Sequence, residues 1–415
     1  MSPDPGQTTG PSGPASAVAG IARAFLDALA KGDGAAAEAL EDGTMRSAAP
    51  AAALTQLWGQ LVGQFGAFGS FGEAATADAP PYTNVTVPVA FAKATVPLIV
   101  TVDKDGHVAG LHLGTPVPIG TSAPSASPSP VAYVDPSAFT ETEVTVGAAP
   151  WALPGTLSMP TGTGPFPAVV LLAGSGPQDR DETIGPNTPL RDIAQGLASQ
   201  GIAVLRYDKR TKAHGPEMAA DVANVTVREE TTDDAVTAMD LLRSTPGVDP
   251  TRVFVVGHSL GGYLAPRIAA QVPGPLAGIA MLEANSSPLP QLILDQYEYL
   301  ASDAGGADPQ AAAALDTVRA QVALAQSPSL SMSTPATQLP LGVPAAYWLD
   351  LRTYDPVATA AGLSIPIFLS QGGRDYQVPP SELAAWRAGL AKNADVSIHP
   401  CPNVNVPPAS ALVRP

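Results

Sequence analysis

Basic residues, aromatic residues, histidines and cysteines are all scarce in this chain of 415 residues. A single cysteine, Cys401, excludes an internal disulfide, so the sequence is equally compatible with a reducing and an oxidising compartment. Lysine and arginine number 21 against 37 acidic residues, and the net charge of −16 argues against nucleic acids and anionic membranes as partners. Apolar runs stay well short of the roughly 18–20 residues that a membrane-spanning helix requires.

Several short functional motifs are missing as well. The N-terminus has neither the basic region nor the apolar stretch of a secretory signal, so we expect a cytoplasmic protein unless a leader precedes the printed start. The sequence contains no metal-ligand cluster, phosphate-binding loop or dinucleotide fingerprint, and we therefore expect no cofactor. The five histidines leave few candidates for a general base.

Proline-rich and serine-rich stretches divide the chain into segments. Residues 1–16 consist mainly of Pro, Gly, Ser and Thr without periodicity and are predicted to form a disordered tail. Residues 17–116 contain helical patterns followed by strand patterns, which predicts a small α+β domain. The stretch 117–130 is rich in Pro, Ser and Ala and is predicted to be an extended linker, after which a second domain covers 131–415.

The second domain alternates strand and helix patterns. Strands are predicted at 168–173, 203–207, 252–257, 278–282 and 366–371, and helices at 190–200, 227–243 and 260–272. This alternation predicts a parallel α/β sheet, whose reactive loops lie at the carboxyl ends of the strands. About 80 residues separate the last two strands, too many for a simple connection, and about 286–350 are predicted to form a helical cap over the site.

The stretch Val253–Tyr263 carries the clearest chemical motif. An apolar strand breaks into Gly-His-Ser-Leu-Gly at residues 257–261 and continues as a helix, which is the context of a nucleophile elbow. In such a turn the serine hydroxyl stands at the top of a parallel sheet, and the two glycines leave room for a strained backbone. We therefore predict that Ser259 is a catalytic nucleophile; an ordinary strand-to-helix turn is the alternative.

A serine nucleophile needs an acid, a base and an oxyanion hole. Asp375 follows an apolar strand through a Gln-Gly-Gly-Arg turn, which makes it the predicted triad acid; a helix-capping aspartate is the alternative. The predicted oxyanion donors are the backbone N–H of Leu260, next after the nucleophile, and that of Ser175, in an Ala-Gly-Ser-Gly-Pro loop. A simple strand-to-helix turn is the alternative for this loop.

Beyond the elbow, longer stretches resemble one family. The sequences "LLAGSGPQDRDETIGPN", "GIAVLRYDKRTKAHG", "VFVVGHSLGGYLAPRIAA", "YWLDLRTYDPVATA" and "PIFLSQGGRDYQVPP" are similar to bacterial α/β-hydrolases of the serine aminopeptidase (S33) and dienelactone-hydrolase-like group. This resemblance, over about 131–405, implies the α/β-hydrolase fold and a Ser-His-Asp hydrolase with Ser259 and Asp375 in the nucleophile and acid positions. Ala173 stands where the family usually has a histidine in the oxyanion loop, so only backbone donors are expected there.

The first domain resembles the NTF2-like domain DUF3887, which precedes some bacterial α/β-hydrolases. The similar stretches are "AFLDALAKGD", "LTQLWGQLVGQFGAF" and "VTVDKDGHVAGLHL". Its two histidines, His107 and His112, are expected on opposite faces of a strand because they lie five residues apart, unlike a pair of metal ligands. We expect this domain to pack on the hydrolase, bind a partner or help in dimerisation.

The sequence departs from the family pattern at the general base. The family carries this histidine after the last strand in a pattern like "YPNLNHLF", and the corresponding stretch here, Cys401–Pro408, has Val406 in its place. The similarity ends at Asn405, as in a truncated or frameshifted reading frame. Valine cannot accept a proton, and a serine without its base loses several orders of magnitude in rate.

The other histidines offer two hypotheses for the base. His258 lies inside the elbow, where its ring is expected to point away from Ser259, and His399 is the one histidine that follows Asp375. Either His399 substitutes as the base, although it lies seven residues before the expected position, or the chain as written has no triad base. We favour the second hypothesis.

A basic segment, Lys209–His214, follows another predicted strand end. Its side chains either favour an anionic group of the substrate or form salt bridges with carboxylates such as Asp179 and Glu230, and we favour the salt bridges. Overall the residues predict a carboxylesterase-like serine hydrolase that acts on a small-molecule ester or amide through an acyl-enzyme at Ser259. A non-catalytic binding protein with a hydrolase-derived pocket and an aminopeptidase-like amide hydrolase are the alternatives.

Overall fold

The computed structural model describes residues 14–79, 82–113, 117–118, 131–184, 187–274, 276–303 and 309–403. The chain forms two compact units, residues 1–125 and 126–415. Most of the predicted tail, most of the predicted linker and the C-terminal stretch with Val406 lie outside the described residues. In the part that is described, no helix has both the length and the apolar character needed to cross a membrane.

The first unit consists of helices followed by an antiparallel sheet. Its elements are α1 (Pro14–Ala30), α2 (Gly34–Glu38), α3 (Gly43–Ala48), α4 (Ala51–Phe65), β1 (Phe68–Phe71), β2 (Ala75–Ala79), β3 (Tyr82–Phe91), β4 (Ala94–Val102), β5 (Val108–Leu113) and β6 (Val117–Pro118). The strands follow the order β1-β3-β4-β5, with β2 paired to β3 and β6 to β4. Alternate side chains of β3 and β4 are buried in one core with side chains of α1 and α4, so the predicted α+β architecture is confirmed.

The second unit is built on a sheet of eight strands. These are β7 (Phe139–Val146), β8 (Leu153–Pro160), β9 (Phe166–Leu172), β10 (Ala203–Tyr207), β11 (Val248–His258), β12 (Gly278–Leu282), β13 (Ile367–Gly372) and β14 (Val396–Cys401). Their order is β14-β13-β12-β11-β9-β10-β8-β7. The six strands from β14 to β10 pair in parallel, and β8 and β7 continue the sheet antiparallel.

Helices connect and cover these strands. They are α5 (Pro189–Ser199), α6 (Arg210–Ala213), α7 (Gly215–Ala220), α8 (Asp233–Ser244), α9 (Leu260–Gln271), α10 (Leu289–Asp303), α11 (Pro309–Gln326), α12 (Ala345–Leu351), α13 (Pro356–Ala361) and α14 (Glu382–Gly389), with short 3-10 turns at Val222–Asn224, Ala336–Gln338 and Pro340–Gly342. The predicted helix at 227–243 begins instead as a π-helical turn, Arg228–Thr232, and becomes α-helical at Asp233. The largest hydrophobic cluster of this unit contains side chains of β9, β11, α8 and α9.

The connection between β12 and β13 carries α10 to α13 and corresponds to the predicted cap region. A parallel sheet with crossover helices, an antiparallel end and a helical insertion before the strand that leads to Asp375 is the α/β-hydrolase fold, as predicted. Its strands β9, β11, β12 and β13 all point their carboxyl ends to the same edge of the sheet. The loops at that edge contain Ser175, Ser259 and Asp375.

Candidate active site

Ser259 occupies the junction between β11 and α9 in a strained backbone conformation, with φ 51° and ψ −116°. The turn is possible because glycines stand two residues before and two residues after Ser259. A Cβ on Gly257 would overlap the carbonyl of Gly261, and a Cβ on Gly261 would lie 2.6 Å from the carbonyl oxygen of Leu172. The Ser259 hydroxyl has no hydrogen-bond partner among the residues that the structure describes. The local geometry is therefore that of a nucleophile elbow.

Two backbone N–H groups are available beside this serine. Leu260 is the first residue of α9, so its N–H has no partner within the helix, and the Ser175 N–H makes no hydrogen bond to the described part of the chain. Both residues line the same cavity as Ser259. The structure thus brings the two predicted oxyanion donors together with the predicted nucleophile.

Asp375 is 3% exposed and lies in the loop after β13. Its Oδ1 accepts hydrogen bonds from the backbone N–H groups of Gln377, at 2.8 Å, and Val378, at 3.0 Å. Its Oδ2 lies 3.3 Å from Nε2 of Gln371. Burial raises the pKa of Asp375 to about 6, although these hydrogen bonds and the charge of His258 oppose the shift.

The ring of His258, the residue that precedes Ser259, contacts Glu182. Its Nδ1 lies 2.9 Å from both carboxylate oxygens of Glu182, a residue with only 2% exposure. Burial lowers the pKa of His258, but the charges of Glu182, Glu283 and Asp375 outweigh it and raise the pKa to about 9. The carboxylates around the half-buried His258 therefore favour its protonated form.

Glu283 belongs to the same group of charges. It follows β12, as Asp375 follows β13, and burial raises its pKa to about 7, with the charge of Asp375 adding to the shift and that of His258 opposing it. The carboxyl end of the sheet thus gathers three acidic side chains around one imidazole. Sequence reasoning missed Glu182 and Glu283, although a carboxylate directly after an apolar parallel strand was a usable signal for Glu283.

Backbone strain is concentrated at this site. Four non-glycine residues of the described chain have positive φ, namely Glu182 (52°), Ser259 (51°), Glu283 (50°) and Leu341 (56°). Ser259 and Leu341 line the cavity, and the two glutamates are the ones that act on His258. Such conformations cost about 1–3 kcal/mol each and cluster at functional sites.

The cavity beside Ser259 has a volume of about 420 Å³. Its wall is mostly apolar and comes largely from the segment between β12 and β13, and its lining residues include Leu260, Leu289, Leu292, Ile293, Val343 and Trp348. Among the residues that the structure describes, Glu230 is the one acidic residue in the lining, and no lysine or arginine lines the cavity. This size and lining suit an uncharged organic group.

The basic segment after β10 forms ion pairs. Lys209 is buried and binds Glu230, and Arg210 binds Asp234 and lies over the ring of Trp151. Lys212 is exposed and does not line the cavity. The interpretation as salt bridges is therefore confirmed, whereas the described residues offer no free cation in the cavity for an anionic substrate.

The structure does not bring His399 to Ser259. His399 lies on the edge strand β14, exposed, with its Nε2 2.5 Å from the Ser397 hydroxyl and its ring stacked on Phe368. It pairs in register with Ser370, which pairs with Leu282, which pairs with His258, so three strand spacings separate the two histidines. At about 4.8 Å per spacing this is roughly 14 Å.

Comparisons with known protein families match both units of the chain. A family described as "Protein of unknown function (DUF3887)" matches residues 22–111, and one described as "Serine aminopeptidase, S33" matches residues 189–305. The esterase EstD of Thermotoga maritima is 34% identical over 345 residues, which cover 83% of this chain and 77% of the esterase. These matches confirm the predicted resemblance.

Solved structures give more distant matches. An acylaminoacyl peptidase of Pyrococcus horikoshii is similar over 80% of this chain and 51% of its own, with 15% identity and a TM-score of 0.46. An esterase of Pyrococcus furiosus is similar over 64% of this chain and 82% of its own, with 17% identity and a TM-score of 0.42. The chain thus spans about half the length of the peptidase and most of the length of the two esterases.

Proposed function

Since the chain belongs to the α/β-hydrolase family that includes the esterase EstD, we propose that it hydrolyses carboxylic esters through an acyl-enzyme at Ser259. The observation that carries the proposal is the strained Ser259 in the lining of an apolar cavity, with two backbone N–H groups beside it that make no hydrogen bond to the described part of the chain. A strained serine with adjacent N–H donors is the arrangement that acyl transfer requires.

The proposed reaction proceeds in two steps. Ser259 Oγ attacks the ester carbonyl carbon, and the N–H groups of Ser175 and Leu260 stabilise the oxyanion until the alcohol departs. Water then attacks the acyl-enzyme, and the same N–H groups stabilise the second oxyanion. Ser259 loses its proton to solvent water, the departing alcohol takes up a proton from water, and Asp375 is the proposed acid of the triad.

Removal of the Ser259 proton limits the rate of this reaction. Serine must lose its proton as it attacks, and the Nδ1 of His258 is already held by Glu182. His399 lies about three strand spacings away. We propose that the chain as printed reacts slowly, with its nucleophile, its oxyanion donors and its acid in place.

The cavity favours ester over peptide substrates. An aminopeptidase binds the positive amino group of its substrate, which calls for an unpaired carboxylate in the pocket. Here the acidic lining residue, Glu230, already binds Lys209 and the hydroxyl of Tyr347, both at 2.7 Å. A neutral acyl group against the apolar wall is the better match.

The proposal is tested by hydrolysis of short-chain chromogenic esters. The protein is expected to release the chromophore above the rate of the buffer, and Ser259→Ala is expected to reduce the rate to that of the buffer. Equal rates for the protein and the variant would assign the protein to the alternative, a binding protein that keeps a hydrolase-derived pocket.

A further inference from the structure

Lys209 is a buried cation beside the oxyanion loop. Its side chain is 3% exposed, and its Nζ donates to the carbonyl oxygen of Gly174 and to Oε1 of Glu230, each at 2.7 Å. Lysine is almost never buried to this degree unless it is paired. One of its two acceptors is a carboxylate, and the other is the residue that directly precedes the oxyanion donor Ser175.

The bond to Gly174 fixes the direction of the Ser175 N–H. Both groups belong to one planar trans peptide unit, in which the C=O and the N–H point in opposite directions. Because the Gly174 carbonyl points to Lys209, the Ser175 N–H points the other way, and Ser175 lines the cavity with Ser259. A turned peptide would present a carbonyl oxygen where the negative charge of the oxyanion develops.

Gly174 cannot hold this orientation by itself. Glycine turns its backbone more freely than other residues, and a side chain is excluded here. A Cβ would lie 2.9 Å from Oε1 of Glu182 and 3.3 Å from Cβ of Ser259. The Gly174–Ser175 peptide is therefore held by Lys209 on its carbonyl, and Glu182 holds the preceding peptide through the Gly174 N–H.

The same short segment holds the rest of the loop. The Lys209 N–H donates to the carbonyl of Gln178 at 3.1 Å, and the Thr211 hydroxyl donates to the carbonyl of Gly176 at 3.2 Å. The basic segment after β10 thus binds three carbonyls of the oxyanion loop.

The cap region reaches Lys209 through Glu230. Glu230 lies in the π-helical turn, a kind of turn that is frequent at functional sites, and its Oε2 accepts a hydrogen bond from the hydroxyl of Tyr347 at 2.7 Å. Tyr347 is on α12, and both Tyr347 and Glu230 line the cavity. A chain of three side chains therefore connects the cavity wall with the oxyanion peptide.

We propose that Lys209 is a positioning residue for the oxyanion hole and that Tyr347, through Glu230, links the position of α12 to it. This inference rests on the proposed ester hydrolysis. Lys209 touches neither the substrate nor Ser259; it acts by holding the Gly174 carbonyl away from the oxyanion. A substrate that seats against Tyr347 thereby stabilises the arrangement in which the Ser175 N–H faces the reacting carbonyl.

The test compares an ester with its thionoester, in which sulfur replaces the carbonyl oxygen. Sulfur is larger and a weaker hydrogen-bond acceptor, so the ratio of the two kcat/KM values reports on the oxyanion hole, whereas general destabilisation lowers both values alike. The main variant joins Lys209→Met with Glu230→Gln, so that no unpaired charge is buried. Tyr347→Phe keeps the Lys209–Glu230 pair and replaces the double variant in the test if that variant does not fold. Lys212→Met, at an exposed position of the same segment, is the matched control.

The double variant is expected to lose about 100-fold in kcat for the ester, with KM within about twofold, and its ester-to-thionoester ratio is expected to fall. Tyr347→Phe is expected to lower the ratio in the same direction by a smaller factor, and Lys212→Met is expected to keep the parent values. A ratio that stays at the parent value in the folded variants would overturn the inference.

A crystallographic readout is independent of turnover. In crystal structures of the protein and of a folded variant, the Gly174 carbonyl is expected to keep one direction in the protein and to turn, or to occupy two directions, in the variant. An unchanged direction in the variant would overturn the role of Lys209. If the parent protein hydrolyses neither ester, the proposed function fails, and the direction of this carbonyl decides the inference alone.

Discussion

At the scale of single residues, the candidate site contains a half-buried histidine among carboxylates, next to Ser259 in the chain. His258 is adjacent to Ser259, yet its ring is turned to Glu182, and Glu283 and Asp375 add negative charge around it. An imidazolium among carboxylates stabilises their charges and reduces the cost of gathering them at one edge of the sheet. The attraction between His258 and these carboxylates therefore stabilises the elbow, in addition to the close packing at its glycines.

His258 is expected to make stability fall with rising pH. Its pKa is raised from 6.5 to about 9 in the folded chain, so its contribution is fully present below pH 6.5 and is lost as the pH rises through about 9. The raised pKa values of Asp375 and Glu283 act in the same direction at lower pH. Urea unfolding of the second unit is expected to show a fall on the order of 3 kcal/mol between pH 6.5 and 9.

His258→Gln is expected to flatten this dependence, because glutamine cannot carry the charge. His112→Gln, a substitution on an exposed strand position of the first unit, is the control and is expected to keep the parent slope. The same slope in His258→Gln and in the parent would contradict the role given to His258 in this pH dependence.

Residues that follow apolar strands could be predicted from the sequence, and residues in irregular loops could not. Ser259 and Asp375 come after recognisable strands, and Glu283 satisfies the same rule. Glu182 lies in a loop with a positive φ and binds a histidine 76 positions along the chain, and no local pattern indicates such a contact. Long-range pairing of charged loop residues is decided by tertiary structure alone.

At the scale of elements, the helical periodicity of the sequence predicted the positions of the helices. It predicted their contacts less well. The insertion between β12 and β13 was expected to be helical, and α10 and α12 do line the cavity. The helix predicted at 227–243 was correct except at its start, where the π-helical turn carries Glu230. The position of a π-helical turn depends on tertiary contacts, and the hydrophobic periodicity of a sequence does not indicate those contacts.

The apolar wall of α10 is expected to set the preferred acyl length. Leu292 is 3% exposed and lines the cavity, so Leu292→Ala is expected to extend the cavity and to shift kcat/KM from short towards longer acyl chains by about tenfold. The same change is expected to cost about 2–5 kcal/mol of stability. Chromogenic esters of increasing acyl length provide the measurement.

Leu300 supplies the control on the same helix. It is 49% exposed, so Leu300→Ala is expected to leave both the acyl preference and the stability near the parent values. An identical chain-length profile for Leu292→Ala and the parent would show that the acyl group binds elsewhere.

At the scale of the whole molecule, the strand order places His399 far from Ser259, a distance that the sequence left undecided. The fold and its sheet could be predicted from alternating patterns and a family resemblance. The distance of His399 from the elbow could not, because it depends on β14 being the edge strand, three positions from β11. The predicted nucleophile, acid and oxyanion donors lie in loops at one edge of the sheet, whereas His399 lies on the outermost strand.

Free imidazole is expected to act as a base beside Ser259, because no histidine hydrogen-bonds to Ser259 in the described part of the chain. Millimolar imidazole is expected to raise ester turnover in a saturable manner, since the ring enters the cavity beside Ser259. Ser259→Ala corrects for hydrolysis by imidazole in solution and is expected to show only that background. His399→Ala is expected to keep the parent turnover; loss of turnover in this variant would restore His399 as the base.

The most direct measurement is covalent labelling by a fluorophosphonate, followed by mass spectrometry of the digested protein. A fluorophosphonate reacts with a serine whose oxyanion hole is formed, so one adduct is expected on the peptide that contains Ser259, and none in Ser259→Ala. Labelling is expected to be faster in the presence of imidazole. A Ser259 that stays unlabelled in the presence of imidazole, or an adduct confined to another residue, would contradict the assignment of Ser259 as the nucleophile.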